Sequence, residues 1–122
     1  MLKDALYKIV SLDHSEGAIE AVLEINKDNE IFAGHFPGQP VLPGACMLQM
    51  VKEVLETALG KTLRLKKADL MKFLRMIDPS VNKVISLAIS YEFIDDGGIN
   101  VFAKLTDNET VCFKFQGMFK TL

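Results

Sequence analysis

One segment of the sequence predicts a long helix, whereas every other patterned segment predicts β-structure. The helix spans Pro43 to Leu59, with proline in the first turn and Gly60 just past the C-terminus. Its polar side chains gather on one face: Gln49, Lys52, Glu53, Glu56 and Thr57. Its first turns, Ala45 to Leu48, are apolar all round, which predicts that the helix starts inside the protein and becomes half-exposed towards its end.

The other patterned segments predict strands separated by polar turns. Asp13 to Gly17 and Asp95 to Gly98 are turn clusters of the hairpin type. The predicted strands are Lys8–Leu12, Ala18–Ile25, Thr62–Met76 with a bend near Ala68-Asp69, Lys83–Ile94, Ile99–Thr106 and Val111–Thr121. Ile31 to Leu42 predicts a rigid, irregular loop, because prolines fix φ and remove donors. The order indicates an α+β fold in which a long antiparallel sheet wraps one helix, as a single domain over residues 1–122.

The composition is apolar for so short a chain. Of the 122 residues, 49% are hydrophobic, and the mean hydropathy is +0.20. No segment approaches the ~18 apolar residues of a membrane-spanning helix. We therefore expect the excess apolar surface to be buried against another subunit, against a lipid-like substrate, or both.

Charge and cysteine content exclude other classes. The formal net charge is −2, so no basic field attracts nucleic acid. Two cysteines, Cys46 and Cys112, make neither a disulfide framework nor a zinc cluster. The charged N-terminus lacks the apolar run of a signal peptide. These features predict a protein of the reducing cytoplasm.

The segment most informative about chemistry is Gly34-His35-Phe36-Pro37-Gly38-Gln39-Pro40-Val41-Leu42-Pro43-Gly44. Rigid backbone around the titratable ring of His35 is what a general base needs. Gly44 lies in the first helical turn, where its unpaired N–H could polarise a carbonyl oxygen. A structural loop with a hydrogen-bonded histidine explains the same pattern, and the residues alone leave the reaction open.

This segment resembles the signature of hot-dog-fold 3-hydroxyacyl-[acyl-carrier-protein] dehydratases, G-H-F-P-x-x-P-x-x-P-G followed by a helix with an acidic residue. All fixed positions from Gly34 to Gly44 match. A weaker resemblance continues through Asp69 to Pro79 and the later strands, and covers most of the chain from Ala18 onward. The resemblance implies the hot-dog fold, with a long antiparallel sheet around one central helix.

The resemblance also implies a mechanism without metal or cofactor. His35 removes the C2 proton of a 3-hydroxyacyl thioester, the Gly44 N–H polarises the carbonyl, and the Val41 carbonyl holds the imidazole. Phe36, Pro43 and Val41 contact substrate, and a non-proline cis peptide follows His35. An acid on the helix of the partner subunit protonates the departing hydroxyl, which implies a homodimer or a trimer of dimers.

The sequence departs from the family at that acid. The expected position, fourteen residues after His35, holds Gln49, and Glu53 stands where family members often carry glutamine. Three readings remain. Glu53 serves as the acid, or the chain pairs with a different dehydratase subunit that supplies one, or it is another hot-dog protein such as an isomerase, a thioesterase or an acyl-binding subunit. A solvated helix residue is the plain alternative for Glu53.

A cluster of cations follows the helix. Arg64, Lys66 and Lys67 are its central members and form a candidate docking patch for an acidic acyl carrier protein. A solvated strand face is the simpler explanation of the same residues. The expected partners are a carrier-bound or coenzyme A thioester and a second subunit.

Overall fold

Six antiparallel strands form one sheet around a 16-residue helix. The protein is described from a computed structural model that covers residues 1–122. The elements are β1 Tyr7–Ser15, β2 Ala18–Ile25, α1 Ile31–Gly34, α2 Gly44–Leu59, β3 Leu63–Phe73, β4 Val84–Phe93, β5 Gly98–Asp107 and β6 Thr110–Thr121. The α+β architecture predicted from the sequence is confirmed.

The strand order across the sheet is β1-β2-β4-β5-β6-β3. After α2 the chain enters the sheet at its far edge, where β3 pairs only with β6. The pairing shifts register between Leu65 and Lys67 and between Ala68 and Leu70, which agrees with the predicted bend. The second free edge is β1.

The core lies between the sheet and α2. Alternate residues of the central strands point inward, because side chains along a strand alternate between its two faces. In β2 these are Ile19, Ala21, Leu23 and Ile25, all buried. They belong to one cluster with the apolar side of α2, including Met50, Val51, Val54 and Leu55. Burial of these faces is what fixes the helix against the sheet.

The N-terminal half differs from the predictions in two places. Asp13 to Ser15, predicted as a turn, continue β1 by pairing with Glu20, Ile19 and Ala18. Only Glu16 and Gly17 remain as the turn, because Gly17 takes φ +80° and allows a two-residue hairpin. The predicted loop from Ile31 opens instead with the single turn α1. Asn29 Oδ1 accepts the Ile31 N–H at 2.9 Å, and Phe32 is buried.

The start of α2 is also more open than predicted. Cys46 and Met47 are buried, but Ala45 is exposed and Leu48 is half-buried. The helix therefore begins at the surface of a groove, described below. No helix has the length and apolar character needed to cross a membrane.

Candidate active site

The histidine loop joins α1 to α2 and is held by its own backbone. Phe36 and Gln39 exchange two N–H···O bonds of 2.9 Å, and the Val41 N–H donates to the His35 carbonyl at 2.9 Å. The Leu42 N–H donates to the Ile77 carbonyl at 2.9 Å, which ties the loop to the segment after β3. The His35-Phe36 peptide is cis, as the resemblance implies.

The ring of His35 has a fixed orientation. Its Nδ1 lies 3.0 Å from the Val41 carbonyl oxygen. Because a carbonyl oxygen only accepts, Nδ1 donates, and the neutral ring carries its lone pair on Nε2. The ring also stacks on Phe36, with centroids 4.3 Å apart. Nε2 of this half-buried ring makes no hydrogen bond within the chain.

Unpaired N–H groups stand beside this ring. Cys46 and Met47 donate the first helical hydrogen bonds of α2, both to the Pro43 carbonyl, at 3.0 and 3.2 Å. The N–H groups of Gly44 and Ala45 precede these bonds, and no side chain caps the helix. The positive end of the helix dipole adds to their attraction for a negatively charged oxygen.

Gly44 is constrained by its neighbour on β3. A Cβ at this position would lie 2.6 Å from Phe73 Cε1 and 2.8 Å from Phe73 Cζ. The Phe73 ring in turn stacks on buried Phe113, with centroids 5.0 Å apart. The aromatic ring thus lies so close to the start of α2 that any side chain at position 44 would require the exposed Phe73 ring to shift.

His35 and Gly44 share one open, mostly apolar groove of about 770 Å³. Its lining is His35, Phe36, Val41, Leu42, Gly44, Ala45, Met47, Phe73, Leu74, Arg75 and Met76. The sequence-predicted residues His35, Phe36, Val41 and Gly44 therefore meet in one place, whereas Pro43, which precedes Gly44 in the chain, is not part of the lining. The wall from Phe73 to Met76 was not assigned to the site from the sequence. In the sequence, the signal for this wall is the group of apolar residues Phe73, Leu74 and Met76. In the structure these three side chains remain exposed at and just after the end of β3.

Gln49 and Glu53 do not line this groove. Contrary to the prediction of a polar exposed face, the Glu53 side chain is buried, with 1% of its surface exposed. Its carboxylate accepts the N–H groups of Leu2 at 2.9 Å and Lys3 at 2.8 Å, together with the Tyr7 hydroxyl at 3.0 Å. The Gln49 amide donates a fourth bond of 2.7 Å. Glu53 therefore anchors the N-terminal segment to α2.

These bonds also set the charge of Glu53. Burial alone would raise its pKa, but the hydrogen bonds from Leu2, Gln49, Lys3 and Tyr7 outweigh burial and lower the pKa. Burial and the neighbouring carboxylate raise the pKa of Tyr7, so its hydroxyl remains a donor. A carboxyl group held ionised by four donors is poorly suited to release a proton, so this geometry speaks against Glu53 as the acid.

The cationic residues lie away from the groove lining, apart from Arg75. Arg64 and Lys66 are exposed on β3, and Lys67 Nζ lies 3.2 Å from Asp69. Three more lysines form a cross-strand row on the outer face of the sheet: Lys72, Lys114 and Lys104. No group of three or more His, Cys, Asp or Glu side chains is placed to hold a metal ion.

Comparison with known proteins identifies relatives of this chain. Residues 11–116 match the family model of ApeI-like proteins, described as ApeI dehydratase. A 3-hydroxyacyl-[acyl-carrier-protein] dehydratase FabZ of Haemophilus influenzae is 38% identical over 63 residues, which cover 51% of this chain and 43% of that relative. The match thus spans less than half the length of that relative. The FabZ of Chlamydia trachomatis is 30% identical over 106 residues, covering 80% of this chain and 68% of the relative.

Solved structures share the fold. The dehydratase heterocomplex ApeI:P from Xenorhabdus doucetiae superposes with a TM-score of 0.73 at 18% identity, covering 92% of this chain and 96% of that chain. An HP0420 homologue from Helicobacter felis gives a TM-score of 0.71 at 11% identity, with 98% and 90% covered. These likenesses confirm the hot-dog fold. Together with the match over residues 11–116, they show that the chain belongs to the ApeI-like family of hot-dog dehydratases.

Proposed function

We propose that this chain dehydrates a 3-hydroxyacyl thioester, carried by an acyl carrier protein, to the trans-2-enoyl thioester, in the synthesis of fatty acids or related acyl chains. The observation that carries the proposal is the apolar groove in which His35 and the free N–H of Gly44 meet. Its size and lining suit an acyl chain rather than a polar metabolite. The family membership and the named FabZ relatives support the same reaction class.

The mechanism follows from the two groups. The Gly44 N–H and the helix dipole polarise the thioester carbonyl, which acidifies the C2 protons. His35 Nε2 takes one of these protons, and the C2–H electron pair forms the C2=C3 double bond as the C3–O bond breaks. The hydroxyl leaves with a proton as water. His35 is oriented for its step by the Val41 carbonyl.

The leaving hydroxyl needs an acid that this chain does not supply. Glu53 is held ionised by its donors, and an amide such as Gln49 cannot release a proton as a carboxylic acid does. We therefore assign the chain the base and carbonyl-binding half of the site, with the acid coming from a different subunit. The Xenorhabdus neighbour is named as a heterocomplex, which supports a heteromeric assembly here.

The second subunit is proposed to bind at the β3 edge. An unpaired edge strand exposes backbone N–H and C=O groups that pair readily with another strand. Apolar side chains at and beyond this edge remain 39 to 65% exposed: Leu65, Met71, Phe73, Leu74 and Met76. Three of them also line the groove, so association there would cover apolar surface and close the site. A dimer, homomeric or heteromeric, follows from this proposal.

The carrier protein is proposed to dock on the cations near the same edge. Arg64 and Lys66 have no ion-pair partner in the chain, whereas Lys67 is paired with Asp69. The lysines of the outer row, Lys72, Lys114 and Lys104, lie directly opposite one another, an arrangement that is unfavourable without an anion. An acidic carrier would relieve that repulsion and be steered to the groove. A cytoplasmic location is part of this proposal, since such carriers and two free thiols fit a reducing compartment.

The test is to restore the missing acid. We expect the pure chain to convert a 3-hydroxyacyl-carrier substrate slowly, as read by enoyl absorbance, and Gln49→Glu to raise the rate about 10²-fold or more. The introduced carboxyl would lie against the Glu53 carboxylate, and the like charge would raise its pKa, which increases the fraction that holds a proton for the leaving hydroxyl.

The matched control adds His35→Gln to the same variant, which should abolish the gain. A folded Gln49→Glu protein with no gain in rate would contradict the assignment of a missing acid. An unchanged rate in the His35→Gln control would contradict the whole proposal.

A further inference from the structure

The contact between Gln49 and Glu53 fixes which way the Gln49 amide points. The two side chains lie one turn apart on α2, and Gln49 Nε2 is 2.7 Å from Glu53 Oε2. An ionised carboxylate only accepts hydrogen bonds, so the NH₂ end of the amide must face it. The amide cannot rotate by half a turn without placing two acceptors against each other.

Glu53 is itself immobilised by the N-terminal segment. Its Oε1 accepts from the Lys3 N–H and the Tyr7 hydroxyl, and its Oε2 accepts from the Leu2 N–H besides Gln49. In all four bonds the other group donates and the Glu53 carboxylate accepts. The buried charge and its donors therefore form one fixed unit, of which the Gln49 amide is the outermost member.

The opposite end of this amide is free. Gln49 is half-buried, and its Oε1 accepts no hydrogen bond within the chain. We propose that Glu53 is a positioning residue that turns the Gln49 carbonyl oxygen towards the groove of the neighbouring subunit, where it accepts a hydrogen bond from the 3-hydroxyl group of the acyl substrate. This inference rests on the proposed function, in which residue 49 of one subunit reaches the active site of the other, as the Gln49→Glu test assumes.

The consequence is a site that binds without completing the reaction. An acceptor beside the 3-hydroxyl group binds its O–H in a hydrogen bond but gives no proton to the oxygen. It therefore stabilises the bound alcohol and does not help the hydroxyl to leave as water. In a heteromeric dimer, His35 of this chain would work with the carboxylic acid of the second subunit. The other site of the dimer, which contains Gln49 of this chain, would bind 3-hydroxyacyl chains selectively without dehydrating them.

The experiment compares the affinities of two acyl ligands for the full chain. Calorimetry measures binding of a 3-hydroxyacyl pantetheine amide and of the saturated amide of equal length, neither of which undergoes elimination. We expect the wild type to prefer the hydroxylated ligand about three- to tenfold, the size of one hydrogen bond. Gln49→Leu should remove the preference with little change for the saturated ligand.

Glu53→Gln and Glu56→Gln separate positioning from general effects. Glu56 lies on the same helix and accepts the Leu63 N–H at 2.8 Å, but it does not contact Gln49. Glu53→Gln should lower the preference, because a glutamine there can present either end to Gln49, whereas Glu56→Gln should preserve it. The side-chain amide NMR signals of Gln49 should shift in Glu53→Gln and stay in place in Glu56→Gln.

The outcomes distinguish this inference from the proposed function. Equal affinity of the wild type for both ligands would overturn the inference and leave the acyl site standing, whereas no binding of either ligand would overturn both. Retention of the preference in Gln49→Leu would also overturn it. If Glu53→Gln does not fold, the wild-type amide signals decide: a Gln49 NH₂ group in fast exchange, without a hydrogen-bonded shift, would contradict the fixed orientation.

Discussion

At the scale of single residues, Glu53 shows how the role of a carboxylate changes when it lies one helical turn beyond the position at which the family carries its acid. Its carboxylate accepts backbone bonds from Leu2 and Lys3 and a hydroxyl bond from Tyr7, so it fastens the first residues of the chain to α2. A buried charge is tolerated only when donors replace its lost hydration. The residue at this position is thus committed to structure, and its chemistry as an acid is suppressed.

This commitment predicts a pH-dependent contribution to stability. The pKa of Glu53 is lowered from 4.5 in the folded state, so its contribution is fully present above pH 4.5 and is lost as the pH falls through the folded pKa. At pH 7, Glu53→Gln should lower the free energy of unfolding by about 1–3 kcal/mol. Urea unfolding from pH 7 down to pH 3 should show the variant and the wild type converging. A difference that is independent of pH would contradict the assigned charge state.

At the scale of elements, sequence patterns predicted the helix and the strands but not the contacts between them. The limits of α2 and of the last four strands differ from those predicted by at most three residues, because periodicity, Gly60 and the Asp95–Gly98 turn are local signals. Burial of Glu53 depends on donors 46 to 51 positions away, at Tyr7, Lys3 and Leu2. Likewise, Phe73 reaches Gly44 only because β3 lies at the sheet edge beside the start of α2. Neither contact can be predicted from sequence periodicity, because each joins residues that are far apart in the chain.

The contact between α2 and β3 is testable as a pair. Gly44→Ala places a methyl group 2.6 Å from the exposed Phe73 ring, which must shift from its stack on Phe113, so we expect a cost of about 1 kcal/mol, the lower end of the range for overpacking. It should also displace the Gly44 N–H and lower the dehydration rate of the Gln49→Glu protein. Phe73→Leu removes the ring atoms that clash. The double variant should therefore be more stable than the sum of the single changes predicts, as measured by thermal unfolding. Strict additivity would show that Phe73 does not restrict Gly44.

At the scale of the whole molecule, the apolar residues, which are numerous for so short a chain, are found in two places. Most lie in the core between the sheet and α2. Others remain exposed at the edge formed by β3 and the segment from Leu74 to Met76. The groove opens at that edge, so the surface that would bind a second subunit is continuous with the surface that would bind an acyl chain. The proposed reaction thus requires assembly, since the base and the acid come from different subunits.

Complementation between the wild type and one double variant tests this requirement directly. The wild type provides His35 without the acid, and His35→Gln combined with Gln49→Glu provides the acid without the base. Each protein alone should dehydrate a 3-hydroxyacyl thioester slowly, whereas mixed dimers contain one site with both groups and should exceed either parent by about 10²-fold. The rate should grow as the subunits exchange after mixing, and it should fall on dilution below the dimer dissociation constant. A mixture no faster than its parents, with mixed dimers shown by native mass spectrometry, would mean that the groups do not meet across the interface.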